Sequence, residues 1–133
     1  MSKIVWLTGS RGFVGSYIRE ALIEAGYTVK CLSNTAGQDE NIINADFSDR
    51  NKLRKIIDEH GTPDTLIHLG WGNTNDPHHK NHITSNVNEG INLFDEMYNS
   101  GVQRIIFMGS ASEYGSQVGL LKENFPSQEE GLN

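Results

Sequence analysis

Three glycines spaced three apart, Gly9, Gly12 and Gly15, break the run "IVWLTGSRGFVG" where an apolar stretch gives way to a polar one. Three side chains removed within seven residues let another group approach the main chain. At a strand-to-helix turn that group is an anion, above all the pyrophosphate of a dinucleotide. One glycine permits the tight turn, the next admits the phosphate, and the third lets the helix pack on the strand. The helix N-terminus adds unpaired N–H groups and partial positive charge. No Lys-Ser/Thr pair follows the glycines, which excludes a P-loop. The plain alternative is a tight turn that binds nothing.

Other residues that could do chemistry are scattered. Ser110 lies just past the apolar run "VQRIIFMG", at the strand end where open α/β sheets hold ligands. Ser112 shares that loop and is a candidate substrate contact. Trp71 follows another apolar run, "DTLIHLG", and is a candidate cofactor neighbour. His68, inside that run, reads as a satisfied core or cofactor-side histidine. His78 and His82 would share a helix face and could hold a metal. No carboxylate completes the set at helical spacing, so we expect no metal site.

Alternating elements must position these groups. "KIVWL" reads as a buried strand, and Phe13 to Ala25 as a helix stopped at Gly26. "YTVKCL" is a second strand and "NIINAD" a short third. Ser48 caps a helix through His60, with Leu53, Ile56 and Ile57 on its buried face. "DTLIHLG" is the fourth strand. Asp76-Pro77 starts a long helix to about Asn99, burying Ile83, Val87, Ile91, Phe94 and Tyr98 and stopping at Gly101. "VQRIIFMG" is the fifth strand; the rest is loop with one short turn. This order predicts an α/β fold of Rossmann type, a doubly wound parallel sheet with helices on both faces, truncated after its fifth strand. The core spans residues 1–110, and 111–133 form an active-site loop.

Composition sets limits. The 133 residues fit one domain, with 36% hydrophobic and 21% charged residues. A net charge of −6 argues against sequence-independent nucleic-acid binding. No apolar run reaches the ~20 residues of a membrane span. The N-terminus lacks a signal-peptide pattern, and the single cysteine, Cys31, forms no internal disulfide. A cytoplasmic setting is expected.

The segment Thr8-Gly9-Ser10-Arg11-Gly12-Phe13-Val14-Gly15 resembles the extended short-chain dehydrogenase/reductase family: nucleotide-sugar epimerases, dehydratases and ketoreductases. Asp46-Phe47-Ser48-Asp49 resembles its adenine-binding turn, and Asp64 to Trp71 its fourth strand. Asn86-Val87 with Asn92-Leu93-Phe94 resembles its central helix, and "IIFMGSASEYG" its fifth strand and active-site serine. The resemblance implies a nicotinamide cofactor and a nucleotide-sugar substrate, and leaves a homodimer open. It implies cofactor contacts at Gly9, Ser10, Arg11, Gly12, Phe13, Val14, Gly15, Asp46, Phe47, Leu69, Gly70, Trp71 and Asn86. It also implies that Ser110 hydrogen-bonds the reacting oxygen and that Ser112 touches the sugar.

The family's proton donor is a tyrosine with lysine four residues on, and none of the four tyrosines here has one. Tyr114 leads to Val118. The donor is expected beyond Asn133, so the chain reads as the N-terminal part of a longer enzyme or a truncated product. A dehydratase is disfavoured, because Ala111 and Ser112 stand where that subgroup has an Asp-Glu pair. Reduction of a 4-keto deoxysugar is the favoured activity, a simple epimerase the second, and a non-catalytic cofactor-binding module the rival of another class. Ser33 and Asn34 occupy the strand end where NAD-specific sites place an acid, and Arg11 can reach the adenosine ribose. NADP is therefore expected over NAD.

Overall fold

The computed structural model describes residues 3–35, 37, 39–72, 75–76, 78–116 and 118–124. Five parallel strands, β1 (Ile4–Thr8), β2 (Thr28–Ser33), β3 (Ile42–Asn44), β4 (Thr65–His68) and β5 (Arg104–Phe107), form one sheet in the order β3-β2-β1-β4-β5. The order reverses beside β1, so the ends of β1 and β4 flank the crevice in which such sheets place ligands.

Helices cover both faces. On one, Ile18 and Leu22 of α1 (Phe13–Glu24) pack on Val5, Leu7, Val29, Cys31 and Ile67. On the other, α2 (Arg50–His60) and α3 (Asn88–Ser100) lay Leu53, Ile56, Ile57, Leu93 and Met97 over Trp6, Leu32, Ile43 and Leu66. Each large side chain fully buried here stabilises the fold by about 1.5–3 kcal/mol. Gly101, at φ 90°, ends α3 in the left-handed conformation, with Val102 N–H returning to the Met97 carbonyl.

Three expectations change. The cap of α2 is Asp49, whose carboxylate accepts from the N–H groups of Asn51 and Lys52. Ser48 instead bonds back to Asp46. The long helix starts later, as a π-helical segment, His82–Val87, that runs into α3. Asp76 caps only a turn, accepting from His78 N–H, and Pro77 lies outside the described residues.

The third correction concerns the buried face of α3. Ile83, Val87, Ile91 and Tyr98 are 71%, 40%, 48% and 78% exposed, whereas Gly90, Leu93, Glu96 and Met97 are buried and Phe94 partly so. Two apolar stripes compete on this helix. The sheet takes the one containing Gly90, where α3 passes close enough to His68 that a Cβ would stand 3.8 Å from its Nε2. Glu96 is tolerated there because Arg54 grips both its oxygens, at 2.8 and 2.9 Å.

Candidate cofactor site

The glycine turn is built by steric exclusion. Gly9 has φ 71°, and a Cβ on it would stand 2.8 Å from Gly70 N and 2.9 Å from Leu69 C. A Cβ on Gly15 would overlap the Gly9 carbonyl oxygen, so α1 can sit against the turn only without it. Gly12 is different: its Cβ would meet only the Gly9 oxygen, at 3.3 Å. Gly12 caps α1 without a side-chain hydrogen bond, and the first turn holds no acid. The N-terminal N–H groups thus keep their attraction for an anion.

Beyond the turn lies a cleft of about 450 Å³. It is walled by Ser10, Arg11 and Gly12 of the turn, by Ser33, Asn34 and Thr35 after β2, by Phe47, and by Leu69 to Gly72 after β4. Phe13 and Val14 are on the helix beside it, 82% and 44% exposed. Arg11 leans across to the β2 end, where its Nη2 donates to the Thr35 carbonyl at 3.4 Å. Ser33 Oγ accepts from Thr35 N–H.

The floor of the cleft is a pair of neighbours in strand register, Thr8 and His68. Thr8 Oγ1 accepts from the N–H groups of Leu69 at 3.1 Å and Gly70 at 3.0 Å. Both lone pairs are then used, so the hydroxyl proton must go to His68 Nδ1, 2.7 Å away. That fixes His68 as the neutral tautomer with its proton on Nε2. Burial pushes its pKa below the usual histidine value, and Phe94 meets the ring edge-to-face at 5.4 Å.

The rim is polar and interlocked. Asn86 accepts from Gly72 N–H and donates to the Gly72 carbonyl, both at 2.9 Å. Its amide therefore ties the β4 loop to the π-helical segment. Trp71, 46% exposed, donates its indole N–H to His82 Nδ1 at 2.8 Å. At the other end Asn92 donates to the Phe47 carbonyl and accepts from Arg50. Asp46 has one oxygen engaged by both the N–H and the hydroxyl of Ser48, and these bonds hold its carboxyl low. Glu89 also lines the cleft, and its carboxyl is raised by burial and then by the Asp46 charge.

Ser110 follows β5, whose end is tied to β4 by Met108 N–H on the His68 carbonyl. Its own carbonyl accepts from Glu113 N–H at the start of a 3₁₀ turn, Ala111–Tyr114. It is exposed and not among the residues lining the cleft; the side chain of Ser112 lies outside the described residues. Among the described residues no group of three His, Cys, Asp or Glu side chains could hold a metal, and no helix is long and apolar enough to cross a membrane. Sequence reasoning passed over Thr8 as the hub of the floor and His82 as the partner of Trp71. A threonine directly before the glycine turn was the available signal for the first. The second contact spans a loop, and nothing in the sequence pattern points to it.

This geometry has counterparts. The UDP-glucose 4-epimerase of Neisseria meningitidis serogroup C is 30% identical over 134 residues, covering 86% of this chain and 38% of that protein. The chain thus spans well under half the length of the curated relatives it matches. The Thermus thermophilus UDP-glucose 4-epimerase, solved in complex with NAD, is 26% identical with a TM-score of 0.75, covering 94% of this chain and 44% of that one. The UDP-N-acetylglucosamine 4-epimerase of Bacillus cereus superposes with a TM-score of 0.79 at 21% identity, covering 98% and 46%, a likeness of fold. A family model for the NAD dependent epimerase/dehydratase family matches residues 5–131, and the chain belongs to that family.

Proposed function

We propose that this chain is the dinucleotide-binding part of a UDP-sugar 4-epimerase. The observation that carries the reading is the glycine cradle, in which Gly9 and Gly15 have no room for a Cβ and Gly12 lines the cleft. The residues fit a nicotinamide dinucleotide. The first turn of α1 takes the pyrophosphate, Ser33 and Asn34 face the adenosine ribose, and Asp46 and Phe47 lie toward the adenine. Leu69, Gly70 and Trp71 border the rest of the cofactor, with Asn86 fixing their loop. When bound, the nicotinamide supplies a centre that can accept and return a hydride, which inverts a sugar carbon if the two transfers use opposite faces. Ser110 bonds the reacting oxygen, and Ser112 contacts the sugar.

The curated Neisseria meningitidis relative named above, a UDP-glucose 4-epimerase, favours epimerisation over the 4-keto reduction that the sequence first suggests. Within this reading the preferred cofactor is NADP(H). The support is local: Arg11 reaches the β2 end, and no carboxylate stands at Ser33 or Asn34. The solved Thermus relative was captured with NAD.

Titrating NADH and NADPH against the chain by nicotinamide fluorescence tests the site. Micromolar binding is expected, with Arg11→Ala weakening NADPH about tenfold and NADH little. Equal losses would remove the NADP preference, and no binding of either would remove the cofactor reading. In the full-length gene product, interconversion of UDP-glucose and UDP-galactose without net cofactor consumption supports the epimerase. Stoichiometric NADPH oxidation by a 4-keto sugar supports the reductase, and binding without turnover supports the non-catalytic module.

A further inference from the structure

His82 carries a constraint that its two neighbours write completely. The Trp71 indole N–H can only donate, and it lies 2.8 Å from His82 Nδ1. The Asp76 main-chain carbonyl can only accept, and it lies 2.7 Å from Nε2. The ring is therefore neutral with its proton on Nε2. The two rings are within 19° of parallel with centroids 6.0 Å apart, an edge-on arrangement that aims the indole N–H at the imidazole lone pair. Asn86 Nδ2 approaches the same nitrogen at 3.3 Å, so a second donor faces it. A proton on Nδ1 would set N–H against N–H and break the contact.

The charged and titratable groups around this ring bond elsewhere or face away from it. On the preceding turn, the Asp76 carboxylate is occupied by His78 N–H and His79 Nδ1 by Asn81 N–H, while Lys80 is exposed. From α3, Glu89 faces the cleft, and from β4, His68 is turned toward Thr8. Among the described residues no carboxylate bonds or pairs with the His82 ring.

Trp71 is one of the residues that wall the cleft, and the Asn86–Gly72 bonds make its loop one piece with His82. We propose that His82 is a positioning residue which, only while neutral, latches Trp71 in place as a wall of the dinucleotide cleft. A proton on Nδ1 removes the acceptor that holds the indole, so acidification opens this wall. The proposal rests on the cofactor reading above for its effect on binding, but not for the latch itself.

The test separates the two. Trp71 is one of two tryptophans, and the other, Trp6, is 1% exposed in the core. Without cofactor, Trp71 emission should shift in a single step as the pH is lowered. The step should vanish in His82→Asn, which keeps an acceptor near the Nδ1 position but cannot be protonated, and far-UV circular dichroism should stay constant. With cofactor, NADPH binding should weaken about fivefold to tenfold across the same step, the worth of one lost hydrogen bond. His82→Asn should bind without that step, and His82→Leu weakly at both pH values. Trp71→Phe should lose the pH-linked change, because its ring offers no donor. A flat emission titration in the wild type, or a binding step that survives in both His82→Asn and Trp71→Phe, overturns the latch. An emission step with no cofactor binding at any pH keeps the latch and rejects the cofactor reading.

Discussion

The floor and the rim of the cleft use the same chemical device with opposite consequences. In each, a histidine Nδ1 accepts a hydrogen bond from a neighbour, Thr8 on the floor and Trp71 on the rim. On the floor both partners sit at paired positions of adjacent strands, 1% and 9% exposed. The hydroxyl that donates to His68 also holds two main-chain N–H groups, so the bond belongs to the fold itself. On the rim, Trp71 is 46% exposed, and its partner belongs to a π-helical segment that contributes no buried residue. A bond of similar length there can break without disturbing the core. The floor therefore sets whether the turn exists, and the rim sets how well it is covered.

The largest effect should come from the floor. Thr8→Val keeps the shape but removes the acceptor of Leu69 and Gly70 N–H and the donor to His68. Each buried group left unpaired costs about 1–3 kcal/mol, and we expect a loss of about 3 kcal/mol in urea unfolding with an unchanged m-value. Trp71→Phe should leave the urea midpoint nearly where it was. Comparable losses in both variants would dissolve the distinction between floor and rim.

The sequence revealed the floor's frame more readily than its wiring. The alternation of apolar runs and helical spacings was enough for five strands in order, and the glycine spacing was enough for the turn. Each of those signals is local. Gly101 as a helix stop and Leu53, Ile56 and Ile57 as a buried face are equally local, and both appear in the structure. The buried stripe of α3 was not legible, because Ile83, Val87 and Ile91 are more apolar than Gly90 and Glu96. The choice was made by what the neighbouring elements offer: α3 lies against His68 at Gly90, and Arg54 of α2 pairs with the acid. Asp49 displaced Ser48 as the cap of α2 because Asp46 already engages that serine. The Trp71–His82 contact depends on a loop conformation, which leaves no periodic trace.

The second effect is the pH slope that the floor histidine contributes. Burial lowers the pKa of His68 in the folded chain below the ordinary histidine value of about 6.5. The unfolded chain then binds the proton more readily, so stability is fully present above about pH 6.5 and declines as pH falls below it, toward the depressed folded value. One such group contributes a slope of at most about 1.4 kcal/mol per pH unit. Urea midpoints measured from pH 7.5 to pH 5 should fall in the wild type and fall less steeply in His68→Gln. His82→Asn should change this slope less than His68→Gln does, although it alters the binding profile. If His82→Asn flattened the stability slope instead, the rim would be coupled to the fold, and the division drawn above would be wrong.

The smallest effect is expected at the adenine end of the rim, and it decides what Asp46 is for. The resemblance makes Asp46 an acceptor for the adenine amine, but the geometry gives one of its oxygens to the N–H and hydroxyl of Ser48. Its other oxygen is 3.8 Å from Lys52 Nζ, a loose surface pair. A carboxylate engaged in this way shapes the turn that leads into α2, and Phe47 is then held over the cleft by Asn92 rather than by Asp46. A full hydrogen bond to adenine would be worth about fivefold in affinity. With one oxygen held by Ser48 and the other beside Lys52, Asp46→Ala should weaken NADPH less than about twofold and lower the urea midpoint slightly. Asn92→Ala frees the Phe47 carbonyl and should weaken binding more than Asp46→Ala does. The reverse order would show that the carboxylate trades Ser48 for the adenine when the cofactor arrives, placing Asp46 with the ligand contacts rather than with the frame.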